Sequence, residues 1–155
     1  MAFLISMLNE GQENRFYIDA PETYEVRLTY TTLKSLDPIL GVVMTKEYLI
    51  VLTEDPDFRD GRTQAPIYVD SVPVNNINAY HWDGTHAWNI ADIVGDIRTY
   101  FRGCAARANE YVRDVPEVVN RPEIWNHEFV GASTLDFDYL IDITDRKLIK
   151  KELFR

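Results

Sequence analysis

Two histidines, an aspartate and two tryptophans fall within eight residues, HWDGTHAW at positions 81–88. Imidazole and carboxylate so close together raise metal chemistry first. His81, Asp83 and the distant His127 stand in the order of the two-histidine, one-carboxylate set that holds non-haem iron. That set needs a β-rich frame around all three ligands, whereas a long helix is predicted between Asp83 and His127. A structural role for the octet is expected instead: Gly84 turns the chain, Thr85 or Asn89 caps the element that follows, and Trp82 and Trp88 anchor the loop in a core. A small metal-dependent enzyme using His81, Asp83 and His127 is kept as an alternative.

Other catalytic groupings are weaker. The chain has no Gly-X-Ser-X-Gly elbow, phosphate loop, dinucleotide glycine pattern or Cys-X-X-Cys pair. Its single cysteine, Cys104, falls on the apolar side of the predicted helix, where a buried, inert thiol is expected. Glu54, Asp55, Asp57 and Asp60 lie close together but lack the glycine and terminal glutamate of a calcium loop, so a solvated loop is expected there. The residues therefore point to no enzyme, no cofactor and no metal.

Charge says more. The net charge of −9 is distributed in blocks. Residues 1–96 carry 15 acids and 6 bases, residues 97–113 carry 4 arginines and 1 acid, residues 114–142 carry 7 acids and 1 arginine, and residues 143–155 carry 5 bases and 2 acids. A continuous basic surface, which nucleic-acid binding requires, is not expected from this pattern. Contact between oppositely charged blocks of neighbouring subunits is expected. On the predicted helix, Arg98, Arg102 and Arg113 recur near i, i+4 spacing opposite the apolar side. With Lys147, Lys150 and Lys151 they are the candidate interface residues, arginine being favoured at interfaces for its planar, bidentate fork.

The elements that must position these groups are strand-like in the first half. FLISML and RFYIDA flank the turn-rich NEGQEN, predicting an N-terminal hairpin, with helix the alternative for the first segment. YEVRLTYTTL alternates as a half-buried strand, GVVMT and EYLIVLT form a hairpin around Lys46-Glu47, and EDPDFRDGRTQAP is a loop. IYVDSVPV and INAY bracket a turn at Asn75-Asn76. From Asn89 the apolar residues Ile90, Ile93, Val94, Ile97, Phe101, Cys104, Ala105, Ala108 and Tyr111 fall at helical spacing. They predict one amphipathic helix over about 89–112, roughly 36 Å long. Pro116 and Pro122 mark short helical turns that drop Trp125 onto the core. FDYLIDIT, a turn at Asp145-Arg146 and KLIKKELF predict a closing hairpin whose lysines guard an edge.

The fold expected is a single α+β domain over 1–155, a mostly antiparallel sheet or small barrel packed against that one long helix. With 46% hydrophobic and 12% aromatic residues it has material for a core. No apolar run approaches the roughly 20 residues of a membrane span. The opening MAFLISMLNEGQ lacks the basic start of a signal peptide, and a lone cysteine without Asn-X-Ser/Thr sites points to synthesis in the cytoplasm. The expected function is a non-catalytic subunit of a larger homo- or hetero-oligomeric assembly. A bacteriophage tail, neck or baseplate component incorporated into a virion is the assembly we expect, and an acidic inhibitor or nucleic-acid mimic is the second alternative.

Overall fold

A computed structural model describes residues 2–9, 12–19, 25–27, 32–34, 39–53, 76–95, 97 and 99–153, with side chains from residue 39 onward. Three four-stranded antiparallel sheets account for most of them. The chain divides into two compact units: residues 1–65 with 76–89, and residues 66–75 with 90–155.

In the first unit, β1 (Ala2–Asn9) and β2 (Gln12–Asp19) pair along their whole length, from Ala2 against Asp19 to Asn9 against Gln12. This is the N-terminal hairpin expected from the sequence. The next stretch is not one strand but two, β3 (Glu25–Arg27) and β4 (Thr32–Lys34), which pair antiparallel to complete the sheet β1-β2-β3-β4. The second sheet runs β5 (Ile39–Met44), β6 (Tyr48–Thr53), β7 (Ile77–His81) and β8 (His86–Asn89) in order. The predicted hairpin around Lys46-Glu47 joins β5 to β6. Thr45 closes it: its amide donates to the Tyr48 carbonyl at 2.9 Å, and its hydroxyl oxygen accepts from the Tyr48 amide at 2.9 Å. Tyr48 to Leu52 are all buried, which explains why this inner strand reads as an unbroken apolar run rather than alternating. Ile39, Leu49 and Val51 form one cluster there, with Val42, Met44, Tyr80 and Trp82 against it. The predicted loop at 54–66, the strand IYVDSVPV and Asn75 lie outside the described residues.

In the second unit, β9 (Gly103–Arg107), β10 (Phe129–Ser133), β11 (Phe137–Asp142) and β12 (Lys147–Leu153) form one sheet in sequence order, with β9 and β12 at its edges. Between β9 and β10 run one-turn helices at Asn109–Val112 and Pro116–Val119 and a 3-10 turn at Pro122–Ile124. Both prolines occupy the first helical positions, where the missing N–H has no partner to lose. Val112, Val118, Ile124 and Phe129 pack together, joined by Val115, Trp125, Leu140 and Ile149. The Trp125 indole N–H donates to the Val118 carbonyl at 3.0 Å.

The expected long helix over 89–112 does not form, so the α+β architecture built on it is replaced by antiparallel sheets with only short helices. Ala91–Val94 make a single helical turn. The chain leaves it at Gly95, φ 78 and ψ −170, a conformation essentially confined to glycine. Gly103–Arg107 are strand, with Gly103 opposite Ser133 and Arg107 opposite Phe129. Two glycines inside a helix each cost about 1 kcal/mol against alanine. Pairing with the buried strand β10 gives the same residues a ladder of backbone hydrogen bonds along one side. The expected apolar side dissolves accordingly: Ile90 and Phe101 are buried, but Ala105, Ala108 and Tyr111 are exposed and Val112 is buried in place of Tyr111. Among the described residues no helix is long and apolar enough to cross a membrane, which says nothing of membrane β-barrels.

Candidate functional site

The octet at 81–88 is the tip of the β7–β8 hairpin. His81 N–H donates to the Thr85 carbonyl at 2.8 Å, Gly84 N–H donates to the His81 carbonyl at 2.9 Å, and Gly84 takes φ 93. Asp83 Oδ1 accepts from the Thr85 hydroxyl at 2.6 Å and the Thr85 amide at 2.9 Å. The same two bonds, the hydroxyl's first, hold the Asp83 carboxyl below its ordinary pKa. That carboxylate serves the turn. The Trp82 indole N–H donates to the carbonyls of Thr45 at 3.2 Å and Lys46 at 3.1 Å, tying this turn to the β5–β6 turn. Trp88 is buried edge-on against Tyr48, ring centroids 5.7 Å apart. His86 Nε2–H donates to Asn78 Oδ1 at 2.9 Å, an oxygen that also accepts from Asn89. Asn89 therefore ends a strand rather than capping a helix.

His81 and Asp83 belong to no group of metal-binding donors among the described residues, and His127 belongs to a different one. His127 follows the 3-10 turn, and its position is set from two sides. Asn109 Nδ2 donates to the carbonyls of Trp125 at 2.7 Å and His127 at 2.9 Å. Ile143 N–H donates to the Glu128 carbonyl at 3.0 Å, and Glu128 N–H to Thr144 Oγ1 at 3.0 Å. These bonds fasten the loop to the β11–β12 turn, where Arg146 adopts φ 56. As a result His127 Nδ1 lies 2.7 Å from Asp142 Oδ2 and 3.8 Å from Asp145 Oδ2. Asp142 Oδ1 accepts the Asp145 amide at 3.1 Å. The Asp142 side chain is 1% exposed, the His127 ring 21% and Asp145 43%. Asp142 and Asp145 escape a reading of the sequence because only the register of Phe129 against Asp142 brings them to His127. The local signal, Asp at both ends of the tetrapeptide DITD (142–145), is common in ordinary turns.

Comparison with models of protein families, with curated proteins and with solved structures found no match. The geometry therefore carries the functional argument.

The predicted interface residues no longer share a helix. Arg102 is exposed just before β9, its N–H donating to the Ser133 carbonyl at 2.8 Å. Arg113 follows a helical turn, its guanidinium 5.8 Å from the centroid of the Trp125 ring and within 3.3 Å of Asn126 Oδ1. Arg98 lies outside the described residues, as does the acidic stretch of Glu54, Asp55, Asp57 and Asp60. Lys147, Lys150 and Lys151 all belong to the edge strand β12. Lys150 points to Glu152 at 3.3 Å and Glu117 at 3.9 Å, while the Lys151 ammonium stands 4.2 Å over the Phe137 ring and 5.5 Å from that of Tyr139. Leu148 and Leu153, on the same strand, are 37% and 60% exposed.

A cleft of about 100 Å³ lies between this sheet and Tyr111 and Val115, floored by Gly131 and Leu140 and walled by Arg107, Asp138, Lys150 and Glu152. Gly131 lets the Arg107 guanidinium lie close over β10, since a Cβ there would come within 2.6 Å of it. Small-molecule pockets run to roughly 300–1,000 Å³, so this one accommodates a side chain rather than a metabolite. Burial pushes the Cys104 thiol on β9 up to about 12, against the opposing pull of Arg107, which disfavours the thiolate at neutral pH.

Proposed function

We propose that the chain works by binding rather than catalysis, as a subunit of a larger protein assembly, through the β11–β12 hairpin and the edge it presents. The observation that carries this reading is the mixed surface of β12. Exposed Leu148, Lys151 and Leu153 stand opposite Ile141, Tyr139 and Phe137 and so share one face of the outer strand, with exposed Lys147 on the other. Apolar side chains on either side of a cation make a surface suited to an acidic partner with its own apolar centre. The lysines keep that edge from indiscriminate strand pairing, so recognition falls to side chains. The small cleft and the protonated Cys104 thiol support the non-catalytic part of the reading. The assembly we have in view is a virion, the tail, neck or baseplate of a bacteriophage, on the strength of the block-charged, motif-poor sequence alone.

Native mass spectrometry of the purified chain, alone and with the soluble proteins it is produced with, tests this. Assembly in the wild type and its loss in L148S/L153S, with unchanged circular dichroism, is the expected result. A chain that stays monomeric throughout, or captures only basic proteins through its acidic surface, would displace this reading with that of an acidic inhibitor.

A further inference from the structure

We propose that His127, Asp142 and Asp145 form a binding site for a divalent transition-metal ion, Zn²⁺ or Mn²⁺. One nitrogen and two carboxylate oxygens, one from each residue, lie within 4.8 Å of one another. Ligands about 2.1 Å from a shared ion stand roughly 3.0–3.4 Å apart when adjacent and about 4.2 Å when opposed. The observed separations from His127 Nδ1, 2.7 and 3.8 Å, bracket the adjacent value. The shorter pair has to open and the longer one to close, each by a few tenths of an ångström, when an ion takes the site.

Charge supplies an independent argument. Asp142 is a carboxylate with 1% of its side chain exposed, and its described partners are one imidazole and one backbone amide. A buried carboxylate needs a compensating charge. Asp145 brings a second carboxylate to the same imidazole. A divalent ion with a neutral imidazole balances both. The ion reaches the cluster from solvent, because Asp145 and the edge of the His127 ring are open. It also finds its donors already placed: the Asn109, Glu128, Ile143 and Thr144 hydrogen bonds fix the two backbone segments before any ligand arrives. The imidazole nitrogen favours zinc over calcium, which takes six to eight oxygens, and the two carboxylates also suit manganese. This site lies at the turn of the same β11–β12 hairpin, where Asp142 stands opposite Lys147, but its existence does not depend on the assembly reading.

The test is calorimetric titration of the chelator-treated full chain with Zn²⁺, Mn²⁺ and Ca²⁺ separately. One Zn²⁺ or Mn²⁺ per chain and no saturable Ca²⁺ binding are expected. D145N, a change at a half-exposed turn residue that leaves the core intact, should weaken binding by at least the roughly tenfold that follows loss of a mere supporting partner. H127Q should abolish binding, and H86Q, at an exposed histidine of the β7–β8 hairpin, should leave it unchanged. No saturable Zn²⁺ or Mn²⁺ binding, an unchanged affinity in D145N, loss of binding in H86Q, or Ca²⁺ bound as tightly as Zn²⁺ would each overturn the proposal. Should H127Q misfold, D145N, which preserves the fold, still decides between these outcomes.

Discussion

Single residues set the turns on which this molecule depends, and two threonines do the same job. Thr134 repeats at the β10–β11 turn what Thr45 does at β5–β6, its amide donating to the Phe137 carbonyl and its hydroxyl oxygen accepting the Phe137 amide. The shared spacing, Thr-X-acid-aromatic in TKEY and TLDF, is a local signal for this closure. Gly95 is as specific at φ 78, with open space where its Cβ would be. Gly95→Ala should therefore lose about 1–3 kcal/mol in urea unfolding through backbone strain alone. Gly41→Ala, where φ is ordinary and space is equally open, should be neutral or gain up to about 1 kcal/mol by stiffening the unfolded chain. Equal effects would show that strain is not what Gly95 relieves. Cys104 gives a prediction in pH. Its thiol ionises near the ordinary value of 9.0 when unfolded and only near 12 when folded, so between those values the native state holds the extra proton. Stability should fall as pH rises through that window, and alkylation at pH 8 should be slow unless urea is added. A Cys104→Ser protein that loses stability just as steeply would assign the alkaline limb to other groups.

At the scale of elements, the hairpins are legible in the sequence and the long helix is a false signal, for one physical reason. The turn and alternation of β11 and β12 are properties of neighbouring residues, so FDYLIDIT, Asp145-Arg146 and KLIKKELF suffice to place them. The choice between helix and strand at 103–107 is made by β10, more than twenty residues away, and no local period records it. Ile90, Phe101 and Val112 are apolar because each enters a core, but from a helical turn, an extended segment and a second helical turn rather than from one side of a rod. Gly95 and Gly103 are the local warning against the helix. The octet shows the converse: its turn and its tryptophan anchors follow from local chemistry, while its hairpin partners do not. Trp88→Ala should cost about 3–5 kcal/mol, as for other buried large aromatics, whereas His86→Ala should be mild because that ring is exposed. Trp88→Phe should recover much of the loss, since the buried indole N–H has no acceptor among the described residues and its removal leaves nothing unpaired. Parity of the alanine variants in thermal melts would remove Trp88 from the core of the first unit.

For the whole molecule the decisive quantity is where charge of each sign is displayed. Residues 114–142 carry 7 acids and 1 arginine, and residues 143–155 carry 5 bases and 2 acids, so an acidic block and a basic one are available for head-to-tail contact. A contact of that kind closes into a ring when the rotation between subunits permits. The three lysines of β12 do not contribute equally. Lys150 already faces Glu117 and Glu152, so reversing it brings three acids together and perturbs the monomer itself. Lys151 stands over Phe137 and Tyr139, a contact worth about 0.5–1 kcal/mol at an exposed site, and Lys147 has no ion pair among the described residues. Lys147→Glu/Lys151→Glu should therefore abolish assembly with little change in melting temperature, and adding Lys150→Glu should lower stability as well. Association of the wild type should weaken with salt, because exposed charges are largely screened beyond about 8 Å at physiological ionic strength. Light scattering across a salt series measures both effects, and a double variant that still assembles with wild-type affinity would remove the lysines, though not Leu148 and Leu153, from the interface.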